Sequence, residues 1–177
     1  MKNIKPIMKN IKPIAYMLCG VPGSGKSTWA APYITKYGFQ LISSDAYIEH
    51  IAQAMGKTYG DIFKSTIGEA NKWMETILNK SLSVSQNVIW DQTNLSMKSR
   101  REKLNKLLGA GYDVTAVAFE IPTRELERRR IEREQKTGKH IAPTICELMG
   151  KTYVRPTRLE GFKRVIIVTP NGEIEGG

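Results

Sequence analysis

The sequence predicts an α/β fold: a doubly wound, mostly parallel five-stranded sheet with helices on both faces and a helical lid. Three observations carry this. Short apolar runs alternate with stretches of helical period along the chain. A glycine-rich loop joins the first apolar run to the first helical stretch. Carboxylates stand at the C-terminal ends of two further runs, where ligands sit in such sheets.

The first run, 14–19, ends at Gly20-Val21-Pro22-Gly23-Ser24-Gly25-Lys26-Ser27-Thr28, which holds the pattern G-x-x-x-x-G-K-[ST] from Gly20 to Ser27. Trp29, Ala30, Ala31 and Ile34 follow at the spacing of a helix's inner face. Strand, glycine loop and helix together form the context of a P-loop nucleoside triphosphate site. Glycines let the backbone turn several N–H groups toward phosphate oxygens, and the helix adds its positive end. Lys26 is placed to reach the outer phosphates, and the Ser27 hydroxyl to ligate Mg²⁺.

The remaining elements follow in order. Residues 39–43 read as a second strand ending at Ser44 and Asp45. A helix spans 46–55, with Ile48, Ile51, Ala52 and Met55 inward. Residues 56–60 form a turn, and Ile67, Ala70, Met74, Ile77, Leu78 and Leu82 mark a longer helix. Residues 87–91 form a third strand closing on Asp91. Ser96 caps a helix over 97–108, which Gly109 and Gly111 end. Residues 112–119 form the fourth strand. Pro122 opens a charged helix reaching about Lys136; Gly138 interrupts it, and Pro143 starts another. Residues 164–168 are the last strand, and the tail ends at Asn171-Gly172.

At 177 residues the chain suits one domain over 14–177. MKNIKPI at 1–7 recurs at 8–14. Two copies make no repeat architecture, and a duplicated or alternative start at Met8, with a disordered tail over 1–13, is the expectation. No apolar run approaches a membrane span of ~20 residues, and signal-peptide features are missing at the N-terminus. Two cysteines make no disulfide framework, so the expected compartment is the reducing cytoplasm. A net charge of +10 suits a polyanionic partner such as nucleic acid, or merely solubility and the triphosphate site.

Phosphoryl transfer to a hydroxyl needs a carboxylate at the acceptor. Asp45 takes that role or caps the helix behind it; Ser43 or Ser44 can cap instead. Asp91 has the position of a carboxylate that holds a magnesium-bound water. Thr93 and Asn94 either bind the acceptor or order their loop. In the charged helix, Arg128, Arg129 and Arg130 each have acids at i±3 or i±4. Arg133 has none within helical reach, so it reads as the lid arginine aimed at the γ-phosphoryl oxygens, and the alternative is a solvated basic face.

These pieces together resemble the polynucleotide kinase branch of P-loop kinases, with the zeta-toxin-like kinases. The matching segments are GVPGSGKSTWA at 20–30, ISSDAY at 42–47, VIWDQTNL at 88–95, RREKL at 100–104, FEIPTRELERRRIER at 119–133, TGKHIAP at 137–143 and PTRLEGF at 156–162. The resemblance implies ATP as donor with Mg²⁺, Asp45 activating a hydroxyl, and lid arginines, Arg130 and Arg133, on the phosphates. It implies a nucleic-acid acceptor, either a 5′-hydroxyl end or, as in relatives from phages with modified DNA, a hydroxymethyl group on a base. Ile48 stands where phage-type polynucleotide kinases carry an arginine for the acceptor's 3′-phosphate, and Thr137 where they carry one before the lid glycine. Ile48 in the first turn after Asp45 would give the acceptor an apolar wall, so a 3′-phosphate should gain little there; the alternative is that Ile48 faces the core with Ile51 and Met55 and another basic residue supplies the contact. A small-molecule kinase and a non-catalytic nucleotide-dependent module are the competing readings. No N-K-x-D guanine motif occurs.

Overall fold

A computed structural model describes residues 12–176; the first copy of the repeated heptad, and with it most of the expected tail, lies outside the described residues. The elements are β1 (Ile14–Cys19), α1 (Lys26–Tyr37), β2 (Gln40–Ile42), α2 (Ser44–Ala54), α3 (Tyr59–Ser83), β3 (Val88–Asp91), α4 (Met97–Gly109), β4 (Asp113–Phe119), α5 (Thr123–Thr137), α6 (Pro143–Thr152), a 3-10 turn (Arg158–Glu160), β5 (Arg164–Thr169) and β6 (Gly172–Gly176).

The strands form one sheet in the order β2-β3-β1-β4-β5-β6. The first five run parallel and β6 runs antiparallel to β5. The expectation of five strands is therefore corrected to six. The sixth is a short hairpin return over Pro170-Asn171, with Gly172 at φ 121°. Its Glu173, Ile174 and Glu175 are all exposed, so no apolar period marks it in the sequence.

β1 sits between β3 and β4. From it the chain turns first to β2 and β3 on one side, then to β4 and β5 on the other. The loop after β1 thus lies at the point where the winding reverses, the usual ligand position in such sheets. The central strands are buried on both faces, as their near-continuous apolar runs require. Met17, Trp90 and Val114 face one layer with Leu78, Leu104 and Phe162. Leu18, Ile89 and Val117 face the other with Ala30 and Phe39, against which Tyr16, Trp29 and Tyr33 pack. A third cluster joins α2 to α3 through Ile48, Ala52, Ile62 and Ala70.

The helix starts follow local chemistry. Ser96 and Ser99 cap α4 reciprocally, as expected at Ser96. Thr58 and Asp61 form a capping box for α3, which therefore begins well before its first marked apolar residue. Among the described residues, no helix is long and apolar enough to cross a membrane.

One buried ion pair ties the site-bearing loops together. Arg100 of α4 is fully buried, as is the carboxylate of Glu160 but for 5%. Its Nε and Nη2 donate to Glu160 at 2.8 and 2.7 Å. Its Nη1 donates to the carbonyls of Asn94, Leu95 and Val154 at 3.0, 3.2 and 2.9 Å. A buried guanidinium with several partners of this kind is costly to orphan. Arg100→Ala should destabilise the fold by about 3–5 kcal/mol, since it leaves Glu160 buried and uncompensated. Chemical denaturation at neutral pH measures this; a loss below ~1 kcal/mol would show that the loops are held by other contacts.

Candidate active site

The loop after β1 is built around backbone that only glycine adopts easily. Gly23 and Gly25 sit at φ 82° and 98°. A Cβ on Gly20 would lie 2.8 Å from Ser24 Oγ and 3.0 Å from Phe119 Cβ. α1 starts at Lys26 without a side-chain cap, so its first N–H groups remain open toward the loop. Ser24 Oγ is buried without a hydrogen-bond partner among the described residues. Uncapped donors and an orphaned hydroxyl fit a cradle made for an anion. Lys26 Nζ donates to the carbonyls of Gly20 and Val21 at 2.9 and 3.0 Å and so spans the loop. Burial pulls the Lys26 ammonium below the usual lysine range, opposed by the charge of Asp91.

Ser27 Oγ donates to Asp91 Oδ2 at 3.2 Å. The end of β3 therefore meets the start of α1, as the paired-strand register Leu18 to Asp91 requires. Burial pushes the Asp91 carboxyl up, and Lys26 and Ser27 pull it back in part. A hydroxyl and a carboxylate at this distance are hard oxygen ligands that suit Mg²⁺, with substrate phosphates and waters completing its shell. No cluster of three or more potential metal-binding His, Cys, Asp or Glu side chains exists among the described residues.

Asp45 follows β2 directly. It does not cap α2: Ser43 does, accepting from the Ala46 N–H at 3.3 Å. The helix starts at Ser44, two residues earlier than the sequence reading placed it. Asp45 is thereby left to face the cleft. Its Oδ2 accepts from Lys139 Nζ at 2.8 Å and its Oδ1 from the Tyr59 hydroxyl at 2.7 Å. Partial desolvation raises the Asp45 carboxyl, but Lys139, Tyr59 and Arg133 more than offset it, so the carboxyl is held below its ordinary range.

The lid crosses above. Arg129 Nη1 reaches Ser24 O at 3.4 Å while its Nε holds Glu125 at 2.7 Å. Arg133 pairs with Glu49 of α2 at 2.9 Å. Lys139, 4% exposed, joins Asp45 to Glu49 at 3.0 Å and lies 3.8 Å above the Tyr59 ring. The resulting cleft has a volume of about 1090 Å³.

The structure brings most of the expected residues together. Pro22, Gly23, Ser24, Gly25, Lys26, Ser27, Thr28, Asp45, Asp91, Thr93 and Arg133 all line the cleft. Gly20 sits at its base, donating to Thr93 O at 2.9 Å.

Three positions need correction. Ile48 is fully buried in the cluster between α2 and α3 and offers no wall to an acceptor. Its helical neighbour Glu49 faces the cleft instead, because Ile48 packs with Ala52, Ile62 and Ala70 as its inward helical position requires. Asn94 is 1% exposed, with Nδ2 on Leu18 O at 2.8 Å and Oδ1 on Lys103 at 2.6 Å. It orders its loop at φ 46° and does not reach the cleft. Arg130 pairs with Glu134 at 3.4 Å and is not among the cleft-lining residues; Arg129 takes that place. The Thr137 side chain lies outside those described.

Three residues at or beside the cleft carry no site signal in the sequence: Glu49, Tyr59 and Arg129. Glu49 is one of several polar residues along α2, and Arg129 belongs to a set of helical pairs. Neither position carries a signal of which face is inward. The T-x-x-D pattern at Thr58 was the available clue that Tyr59 opens a helix.

Comparison with known proteins gives the family and the fold. The family model described as an AAA domain matches residues 16–153, and the chain belongs to that family. The UMP-CMP kinase of Prunus armeniaca is 28% identical over 129 residues, covering 70% of this chain. The aligned part is 54% of that protein, so the chain spans about half the length of this relative. A structure from the PezAT chromosomal toxin–antitoxin system of Streptococcus pneumoniae superposes with TM-score 0.68 at 18% identity, over 92% of this chain and 69% of that one. A gluconokinase from Sinorhizobium meliloti 1021 gives TM-score 0.54 at 21% identity, over 89% and 83%. The fold is that of the P-loop kinases.

Lys139→Ala should raise the Asp45 carboxyl, because the charge that lowers it disappears while desolvation remains. The sign for stability follows. The folded value lies below the unfolded one, so the pair stabilises above the ordinary carboxylate range, and the contribution fades as pH falls through the folded value. Carboxylate NMR titration of both proteins checks this; an unmoved or lower Asp45 titration would refute the pairing.

Proposed function

We propose that this member of the AAA domain family is an ATP-dependent phosphotransferase acting on a hydroxyl group. The observation that carries the reading is the placement of Asp45, relieved of capping by Ser43, across the cleft from the phosphate loop. In this reading the loop N–H groups and Lys26 hold the β- and γ-phosphates. Ser27 and Asp91 hold Mg²⁺, which would neutralise charge on the phosphate oxygens. Arg129 and Arg133 meet the charge that spreads over the γ-phosphoryl oxygens as the bond to ADP loosens. Asp45 receives the acceptor hydroxyl. A carboxylate held below its usual range is a weak base. That suffices where the transition state is loose and the hydroxyl keeps its proton until late, so its work is chiefly orientation.

The acceptor we propose is a nucleic-acid hydroxyl, supported by the net charge of +10. Glu49, beside Asp45 on the acceptor wall, is bridged by Arg133 and Lys139 and itself offers no donor to a phosphate next to that hydroxyl. A hydroxymethyl group on a base fits such a wall better than a nucleotide end bearing a 3′-phosphate. A neutral small molecule is the second reading, favoured by the same glutamate.

Label transfer from γ-labelled ATP to DNA, RNA, hydroxymethylated DNA and a nucleoside panel tests the assignment. Lys26→Ala should abolish transfer while leaving the fold. Asp45→Asn should lower it by roughly 10²-fold or more with ATP affinity little changed. Undiminished transfer in either variant would remove that residue from the site.

Salt separates the two acceptor classes. Affinity for a nucleic acid should fall steeply with salt as neutralised phosphates release counterions. A flat dependence, once the effect on ATP is subtracted, would leave the small-molecule reading.

A further inference from the structure

Both oxygens of Asp45 are occupied from within the chain. Lys139 holds one, and the other accepts from the Tyr59 hydroxyl at 2.7 Å. This is the distance at which a base stands from the proton it is to take. Tyr59 Oη therefore sits where the acceptor hydroxyl of the proposed reaction belongs. Among the described residues it is the side-chain hydroxyl bonded to Asp45.

The tyrosine is held there rather than resting there. It opens α3 behind the Thr58–Asp61 capping box. Its ring lies under Lys139 Nζ at 3.8 Å and tilts against Phe63 with centroids 5.5 Å apart. The phenol is half-buried, and desolvation, with the hydrogen bond to Asp45, raises its ionisation well above the ordinary range. It is thus a neutral hydroxyl, the form a loose transition state accepts. Asp45, which Tyr59 holds, lines the cleft together with the phosphate loop, Arg133 and Lys139. The preceding turn, 55–58, is exposed and contains Gly56 at φ 62°, while the Tyr59 ring packs against the cluster between α2 and α3.

We propose that Tyr59 is a self-acceptor: the protein transfers the γ-phosphoryl group of ATP to its own Tyr59 hydroxyl. The inference rests on the assignment of the phosphate loop and Asp45 above. In the step, Tyr59 Oη bonds to the γ-phosphorus, and the bond from that phosphorus to the β,γ-bridging oxygen breaks. ADP leaves, and the phenolic proton passes to Asp45 Oδ1. The product phosphate would stand among Asp45, Glu49, Lys139 and Arg133 and occupy the acceptor side of the cleft.

The test incubates the full chain with ATP and Mg²⁺, without added acceptor, and follows intact mass and fragmentation. A gain of one phosphoryl group located on Tyr59 is expected, with a first-order rate that does not change with protein concentration. Tyr59→Phe and Lys26→Ala should each lose it, and Asp45→Asn should slow it by roughly 10²-fold. Release of phosphate from ATP, or transfer to an added hydroxyl compound such as thymidine or glycerol, with Tyr59 unmodified would overturn the inference and leave the kinase reading standing. ATP binding with no transfer to any acceptor, water included, would overturn both. A rate that rises with protein concentration would overturn the intramolecular geometry argued here.

Discussion

The buried pair of Arg100 and Glu160 is the constraint on which the cleft depends. Its guanidinium gathers the carbonyls of Asn94 and Leu95, just after β3, and of Val154, just after α6. Val154 N–H closes the same knot on Leu95 O at 2.7 Å, and Glu160 also accepts from Thr157 N at 3.1 Å. The loop carrying Asp91 and Thr93 is thus fastened to the return of the chain from the lid. Thr93 in turn receives the Gly20 N–H. Metal-side carboxylate, phosphate loop and lid exit are bound into one unit by a charge that water cannot reach.

At two carboxylates of the cleft, solvation and pairing oppose each other, and the outcome differs by position. At Asp91 burial prevails and the carboxyl is raised. At Asp45 the cations prevail and it is lowered. Two carboxylates on neighbouring strand ends are thereby set apart. The higher one lies against Ser27 and the lower one against Lys139 and Tyr59. The lid supplies the balancing charge. Arg129 bends to the loop, while Arg133 and Lys139 bridge to α2. The bridged carboxylate Glu49 keeps two cations over the cleft, and in the proposed reaction the phosphates would exchange one anionic partner for another.

Much of the fold was legible because its strands are buried on both faces. The apolar run at 14–19 coincides with β1, and the runs ending at Asp91 and Phe119 fall within a residue of β3 and β4. β6 was not legible, since exposed glutamates give no apolar period. The phosphate loop was legible because its glycines are fixed by backbone geometry, independent of what surrounds them. The acceptor wall was not. Helical period puts Ile48 inward with Ile51 and Ala52, and only the packing of α2 on α3 shows that its neighbour Glu49 turns to the cleft. Asn94 and Arg130 were misplaced for a related reason. Residue type shows what a side chain can bond, and only the packing shows which neighbour it meets. Tyr59 and Lys139 come from segments 14 and 94 residues from Asp45 in sequence, beyond any local pattern.

The central claim is that these strand ends and the lid converge on one triphosphate. A crystal structure with Mg²⁺ and a non-hydrolysable ATP analogue tests it most directly. The account predicts the β- and γ-phosphates on the loop N–H groups and Lys26, the metal on Ser27 Oγ with Asp91 in its coordination or hydration shell, and Arg129 and Arg133 on the γ-phosphoryl oxygens facing Asp45. A nucleotide bound elsewhere, or one on the loop with Asp45 turned away from its γ-phosphate and the lid arginines on other partners, would contradict it.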